Sequence, residues 1–451
     1  MGVLLDLLYL LVAVVASPWL LYRFLTGGRR DFAARFGVGI GGPLTGSIWL
    51  HGSSAGEINV LRPLVALLER DHPGAPLVIS AFTTTGLAAA RRLYPAHRVV
   101  PLPFDLSFVV ARVLRRLDPR LLVVAESELW PNLLRRARRR GAAVALVNGK
   151  MSAKSFRVHS RTRFVARALT ELDVLAVQTE EHAERFRALG APAGRVHVTG
   201  NMKYDLARLG LPAEEAAVVR RALGFQPGDV VVIGGSLHEG EDVALLDAFA
   251  AARERFAGAA LVIVPRYPAD AAAVEEHVRA RGHAVVRKTA VDRGAAAAPG
   301  RGGVLVVDTV GELGRLYAIA DVAFVGGSLF FRGANKGGHN LMEPAVVGVP
   351  VLFGPYNVSF KETVDALLAA DAGRLVQDAG ALRDVVVDLV ANVDLRRMLG
   401  ARARAVVLAE QGAAARNYAL LEGLVGTPGA HLATPNPKPQ NALGPKDLDT
   451  E

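Results

Sequence analysis

The feature that most constrains the fold is a series of short, near-continuously apolar runs, each followed by a stretch of helical periodicity. In the first half these runs are Ile48 to Leu50, Leu77 to Ser80, Leu121 to Ala125, Ala143 to Val147 and Val174 to Val177. A second series comprises Val230 to Gly234, Leu261 to Val264, Val304 to Val307, Val322 to Val325 and Val351 to Phe353. Strands apolar on both faces must be covered on both faces, and helices between successive strands serve as crossovers. Each series therefore predicts a mostly parallel sheet with helices on either side. A polar, unpatterned stretch around Lys203 to Ala213 divides the two, and no fixed-period repeat is present, which favours two doubly wound α/β domains over a solenoid. The expected domains are 31–208 and 209–425, with an N-terminal segment 1–30 before them and a Pro-, Gly- and charge-rich tail 426–451, expected to be disordered, after them. In such folds ligands lie at the carboxyl ends of strands.

Composition narrows the chemistry. There is no cysteine, which excludes disulfide scaffolds, thiol catalysis and cysteine-ligated zinc. The formal charge of +10 favours an anionic partner such as a lipid surface, nucleic acid or a phosphorylated substrate. Nucleic acid is the weakest of these, because aromatic content is only 6% and basic and aromatic residues do not interleave. Val3 to Leu25 is almost wholly apolar, and at about 1.5 Å per residue it just reaches across a bilayer core of about 30 Å. Arg23 near the end of this stretch and Arg29 and Arg30 after it predict an uncleaved anchor with the rest of the chain on the cytoplasmic side; an interfacial helix and a buried core helix are the alternatives.

Several motifs sit where strands end. His51-Gly52-Ser53-Ser54-Ala55-Gly56-Glu57 follows the first strand and brings Glu57 to a helix start, a position that suits either a general base or a helix-capping acid. Glu126-Ser127-Glu128-Leu129-Trp130-Pro131 places two acids before a helix-opening proline. Gly200-Asn201-Met202-Lys203 puts a cation close to the interdomain boundary. His238-Glu239-Gly240-Glu241 lacks the second histidine of an H-E-x-x-H zinc motif, so no metal is expected. Pro265-Arg266-Tyr267-Pro268 offers an arginine fork to a phosphate or a base edge. Gly337-Gly338-His339-Asn340 leads into Leu341-Met342-Glu343-Pro344 and reads as a phosphate cradle at a helix start or as a plain turn.

Taken in order with Arg35-Phe36-Gly37, Val147-Asn148-Gly149-Lys150-Met151-Ser152 and Leu352-Phe353-Gly354-Pro355-Tyr356, these motifs resemble the 3-deoxy-D-manno-octulosonic acid (Kdo) transferases of lipopolysaccharide synthesis. The resemblance runs to about Glu422 and implies a two-domain fold of the GT-B type. It implies a catalytic base at Glu57 and transition-state contacts from Glu128 and Lys203. It also implies a cytidine monophosphate (CMP) site formed by Pro265, Arg266, Val310, Gly311, Glu312, Asn340, Leu341, Met342 and Glu343. The implied reaction is inverting transfer of Kdo from CMP-Kdo to a lipid A precursor at the cytoplasmic face of the inner membrane. No cofactor or metal takes part. A sugar-nucleotide epimerase of the same fold and a non-catalytic membrane-tethered sugar-nucleotide-binding protein are the alternatives. The chain departs from the family pattern at Ala55, Ser127 and Gly149-Lys150, and the connection from Phe330 to Asn340 is about four residues longer than usual.

Overall fold

The computed structural model describes residues 6, 9, 29–161, 163–207, 210–333 and 337–425. The expected tail, and all of the N-terminal segment except Asp6, Tyr9, Arg29 and Arg30, lie outside the described residues. Among the described residues no helix is long and apolar enough to cross a membrane. The chain forms two compact units, one made of Met1–Met202 with Ala414–Glu451 and the other of Lys203–Ala413.

The first unit is built on a seven-stranded sheet, ordered β3-β2-β1-β4-β5-β6-β7. Its strands are β1 (Ser47–His51), β2 (Leu77–Ala81), β3 (Arg98–Pro101), β4 (Pro119–Ala125), β5 (Ala143–Gly149), β6 (Val174–Val177) and β7 (Val196–Val198). All pairings are parallel, and Leu50 of β1 aligns with Ile79 on one side and Val123 on the other. Every residue of β1, β2 and β5 is buried, as expected of strands covered on both faces. Each fully buried aliphatic side chain, Ile48 and Leu50 among them, contributes roughly 1.5–3 kcal/mol through burial.

Two features complete this unit from distant parts of the sequence. The Asp6 carboxylate accepts the Ser107 backbone N–H at 2.9 Å and the Asn132 side-chain amide at 3.1 Å, while the Tyr9 hydroxyl donates to Asp105 at 3.4 Å. Ser107 opens the helix Ser107–Leu117, and Asp105 accepts the N–H groups of Asn132 and Leu133 at the start of the helix Pro131–Arg139. Asp6 therefore accepts the first amide of the helix Ser107–Leu117, and Asp105 caps the helix Pro131–Arg139 that follows the Glu-Ser-Glu-Leu-Trp loop. The helix Ala413–Val425, expected in the second domain, belongs from Ala414 onward to the first unit. Asn417 is fully buried there, accepting the Asn148 backbone N–H at 3.3 Å and donating to Thr199 Oγ1 at 2.9 Å.

The second unit carries another parallel seven-stranded sheet, ordered β10-β11-β9-β8-β12-β13-β14. Its strands are β8 (Val230–Leu237), β9 (Ala259–Pro265), β10 (Val285–Arg287), β11 (Val304–Val306), β12 (Val322–Val325), β13 (Val351–Phe353) and β14 (Gly373–Leu375). In both sheets the direction of winding reverses at the centre, between β1 and β4 in the first and between β8 and β12 in the second. Those two reversals are where an open α/β sheet leaves a crevice for ligand.

Candidate active site

The carboxyl ends of β1 and β4 bring three acids together. Ser54 caps the helix Ala55–Val60, its Oγ accepting the Glu57 backbone N–H at 3.3 Å. The Glu57 side chain folds back, Oε2 accepting the Ser53 backbone N–H at 2.8 Å and Oε1 the Ser54 hydroxyl at 2.9 Å. Glu57 is thus a capping acid in fact, and the same bonds fix its carboxylate. Burial raises its pKa above the ordinary carboxylate value, as do the nearby charges of Glu126 and Glu128, against the lowering effect of the Ser53 and Ser54 bonds.

Glu128 is held by a chain of hydrogen bonds from inside the sheet. Trp49 Nε1 donates to Ser80 Oγ at 2.7 Å, Ser80 Oγ lies 3.0 Å from His51 Nδ1, and His51 Nε2 lies 3.3 Å from Glu128 Oε2. With the proton on Nε2, Ser80 Oγ donates to Nδ1 and Nε2–H to the carboxylate, whereas a proton on Nδ1 would donate to the Ser80 carbonyl oxygen, which lies 3.1 Å away. Trp130 Nε1 donates to the same oxygen at 2.9 Å. Glu126 is buried with φ of 57°, a left-handed backbone unusual for its side chain, and pairs with Lys150 Nζ at 2.5 Å. The roles of His51, Trp130, Glu126 and Lys150 as supports of the two acids were not read from the sequence. A histidine and a lysine at strand ends, facing acids at the end of the neighbouring strand, were the available signal. Lys203 begins the second unit, just before a single helical turn, Tyr204–Leu206.

In the second unit a pocket of about 270 Å³ opens beside the reversal between β8 and β12. Arg266, Gly311, Asn340 and Glu343 line it, together with His339 and Tyr317. Among the remaining residues implied by the resemblance, Pro265 lines a neighbouring pocket of about 460 Å³, while Leu341 and Met342 are buried in the core beneath. Val310 is 83% exposed, and Glu312 is drawn aside by Lys288 at 2.8 Å. The helix Met342–Val346 does not offer its first amide to an anion, because Asn340 Oδ1 accepts the Met342 N–H at 3.1 Å. Asn340 also donates to Glu343 at 3.1 Å, and burial raises the Glu343 pKa.

The His-Glu-Gly-Glu segment has a structural part and a site part. Glu241 is buried, and its carboxylate accepts the N–H groups of Gly327, Ser328, Leu329 and His238 at 2.7–2.9 Å, clamping the turn after β12. His238 and His339 meet edge to edge with nearly parallel ring planes, ring centroids 5.2 Å apart and Nε2 atoms at 2.9 Å. Gly327, at φ of 71°, is required there: a side chain on it would come within 2.8 Å of His339. Tyr317 lies almost wholly buried, its hydroxyl without a hydrogen-bond partner among the described residues, and a Cβ on Gly235 would approach that oxygen to 1.9 Å. Among the described residues no group of three His, Asp or Glu side chains is placed to hold a metal ion.

The family profile described as 3-deoxy-D-manno-octulosonic-acid transferase (kdotransferase) matches residues 30–206, the part containing Glu57 and Glu128. A 3-deoxy-D-manno-octulosonic acid transferase of Bordetella pertussis is 35% identical over 407 residues, covering 87% of this chain and 90% of the relative. The chain belongs to the Kdo transferase family. Another member, from Chlamydia pneumoniae, is 30% identical over 433 residues, covering 93% of this chain and 95% of its own length. Among solved structures, UDP-GlcNAc 2-epimerase from Neisseria meningitidis bound to UDP-GlcNAc superimposes with a TM-score of 0.54 at 12% identity, covering 84% of this chain and all of that one. That likeness shows the shared fold of two doubly wound domains. Kdo transferases are glycosyltransferases, and the two strand-end clusters of this chain stand at the reversals of its two sheets.

Proposed function

We propose that this Kdo transferase moves Kdo from CMP-Kdo to a hydroxyl of a lipid A precursor, lipid IV-A, with inversion at the anomeric carbon. The observation that carries the reading is Glu57, a carboxylate fixed by two short hydrogen bonds and raised in basicity by burial at the reversal of the first sheet. Glu57 takes the acceptor hydroxyl proton as the new carbon–oxygen bond forms. The bond from the anomeric carbon to the phosphate oxygen breaks on the opposite face, and its electron pair leaves with CMP. A phosphate leaving group is already activated, so no protein nucleophile is required.

Glu128, oriented by His51 and Trp130, faces the positive charge that develops on the sugar ring, and Lys203 offsets the donor's negative charge. Arg266 and Asn340 bind the nucleotide in the 270 Å³ pocket, with Glu343 accepting from its hydroxyl groups. The N-terminal segment, with the apolar stretch Val3 to Leu25, keeps the first unit at the cytoplasmic face of the inner membrane. A basic recess of about 420 Å³ lined by Arg112, Arg115 and Arg116 supports contact with an anionic lipid surface. Incubation with CMP-Kdo and lipid IV-A, followed by mass spectrometry of the lipid, tests the reaction. A mass increase of one or more Kdo units is expected, and an unmodified lipid alongside consumed donor would refute it.

A further inference from the structure

The paired histidines stand between two pockets. His339 lines the 270 Å³ pocket with Arg266, whereas His238 lines the 460 Å³ pocket with Tyr267 and Arg332. Neighbouring residues of the same strand ends alternate in the same way, Ser236 and Arg266 facing one pocket, Leu237 and Pro265 the other. The imidazoles are therefore reached from two sides while sharing one hydrogen bond at 2.9 Å. That bond needs a proton on one Nε2 and a lone pair on the other, so the empty pair holds a single bridging proton.

We propose that the His238–His339 pair is a proton-loading contact for the nucleotide phosphate: anion binding in the smaller pocket draws one proton from solvent onto the pair through the larger one. This rests on the reading of the smaller pocket as the nucleotide site. Neutral, the pair presents one outward N–H and one outward lone pair, and the lone pair repels a phosphate oxygen. With one more proton it is a monocation with N–H donors at both ends.

The surroundings keep the empty pair neutral. Burial, then His238 and the guanidiniums of Arg266 and Arg332, push His339 down to about 4, and burial and Arg332 lower His238. Opposing charges are few and committed. Glu241 is occupied by four backbone N–H groups, Asp242 pairs with His277 at 2.7 Å, and Asp270 and Glu239 line the larger pocket; the Glu241 and Asp270 charges raise His238 but do not outweigh burial and Arg332. On the nucleotide side Glu343 has its pKa raised, and the Tyr317 hydroxyl is uncharged. A phosphate in the smaller pocket reverses this balance by placing negative charge against Arg266 and the pair.

The consequence for catalysis is differential. A CMP-sugar carries one negative charge on its phosphodiester, and departing CMP gains a second as the carbon–oxygen bond breaks. A cationic pair binds the second state more strongly than the first. The acceptor proton goes to Glu57, the pair's proton comes from water, and the pair returns it when CMP leaves.

Calorimetric titration of the full chain with CMP at pH 7.5, in buffers of different ionisation enthalpy, reads the protons exchanged. Free CMP is already a dianion there, its second phosphate pKa lying near about 6. Wild type is expected to take up close to one proton per CMP. His339→Gln should bind CMP about tenfold more weakly, as for one lost charge-assisted contact, with uptake near zero. His238→Gln, read in parallel with circular dichroism, should also abolish uptake. CMP binding without proton exchange in wild type, or uptake unchanged in both folded variants, overturns the inference while leaving the nucleotide site standing. No CMP binding by wild type overturns the nucleotide site and the inference with it.

Discussion

Glu57 closes back onto Ser53, its Oε2 accepting the Ser53 backbone N–H at 2.8 Å, so one side chain caps a helix start and has its carboxylate held in place. A glutamine keeps an acceptor oxygen for Ser53 and loses the basic charge. Glu57→Gln should retain its circular dichroism and CMP affinity while kcat falls by a factor of about 10² to 10⁴. A base works deprotonated, and the Glu57 pKa is raised. The acid limb of kcat/KM in the wild type should therefore lie above the ordinary glutamate range and be absent from the residual activity of the variant. Turnover that survives the substitution would reduce Glu57 to a cap.

His51 is fully buried between Ser80 and Glu128. His51→Ala strands the Ser80 hydroxyl and leaves Glu128 with Trp130 as the remaining member of this chain, so stability should drop by about 1–3 kcal/mol in urea titration. Because the carboxylate is then less well aimed, kcat per folded molecule should fall by up to about 10²-fold, with KM for CMP-Kdo little changed. Loss of stability with kcat intact would make Glu128 a structural acid.

Arg266 has its guanidinium over the Tyr267 ring at 5.2 Å and lines the smaller pocket. Arg266→Ala should weaken CMP binding by roughly 1.5–3 kcal/mol, the range of a charge-assisted contact, as measured by calorimetry. Unchanged affinity would place the nucleotide elsewhere.

The Tyr317 hydroxyl is buried without a partner among the described residues, and Tyr317 lines that pocket. Tyr317→Phe removes an unsatisfied polar atom and should raise the urea midpoint by an amount equivalent to about 1 kcal/mol. It should at the same time weaken CMP binding, the exchange of stability for affinity expected of a ligand-facing group. A stabilised variant with wild-type affinity would show that the hydroxyl serves no nucleotide contact.

Burial pushes the Asp105 carboxyl up to about 7, with the Asp6 charge contributing, against two backbone N–H donors. An acid whose folded pKa exceeds its unfolded value binds more protons in the native state, so stability declines as pH rises from about 4 to about 7 and stays lower above it. Asparagine is the neutral acid's isostere. Between pH 4 and pH 8 the stability difference between Asp105→Asn and wild type should therefore move in the variant's favour by on the order of a few kcal/mol in denaturant titration. Parallel pH profiles for the two proteins would contradict this.

The inner strands were legible because burial on both faces leaves a continuous apolar run, as in β1, β2, β8 and β9. The strands that escaped, β3, β7, β10 and β14, all stand toward or at the sheet edges. There one side is solvated, and Arg98, His197, Arg287 and Arg374 interrupt the pattern. The acids at strand ends were also visible, Glu57 and Glu128 included. What a sequence withholds is which polar group is already satisfied from within. Asn340 takes the amide that a phosphate was expected to use, Glu241 spends its carboxylate on a turn, and Glu312 goes to Lys288. His238 has no second histidine nearby in the sequence, and its partner in the fold is His339, about a hundred residues away in the chain.

The burial of Asn417 against Asn148 and Thr199 has a consequence for how the protein is made. A ribosome releases the first unit's seven strands long before Asn417 exists, and the whole second unit must emerge in the interval. Until then the Asn148 amide and the Thr199 hydroxyl lack the side chain that meets them in the finished fold. The half of the enzyme translated first is thus the half completed last. A nascent chain stopped at Met202 should remain open to protease at its β5 and β7 ends, whereas one extended through Val425 should close.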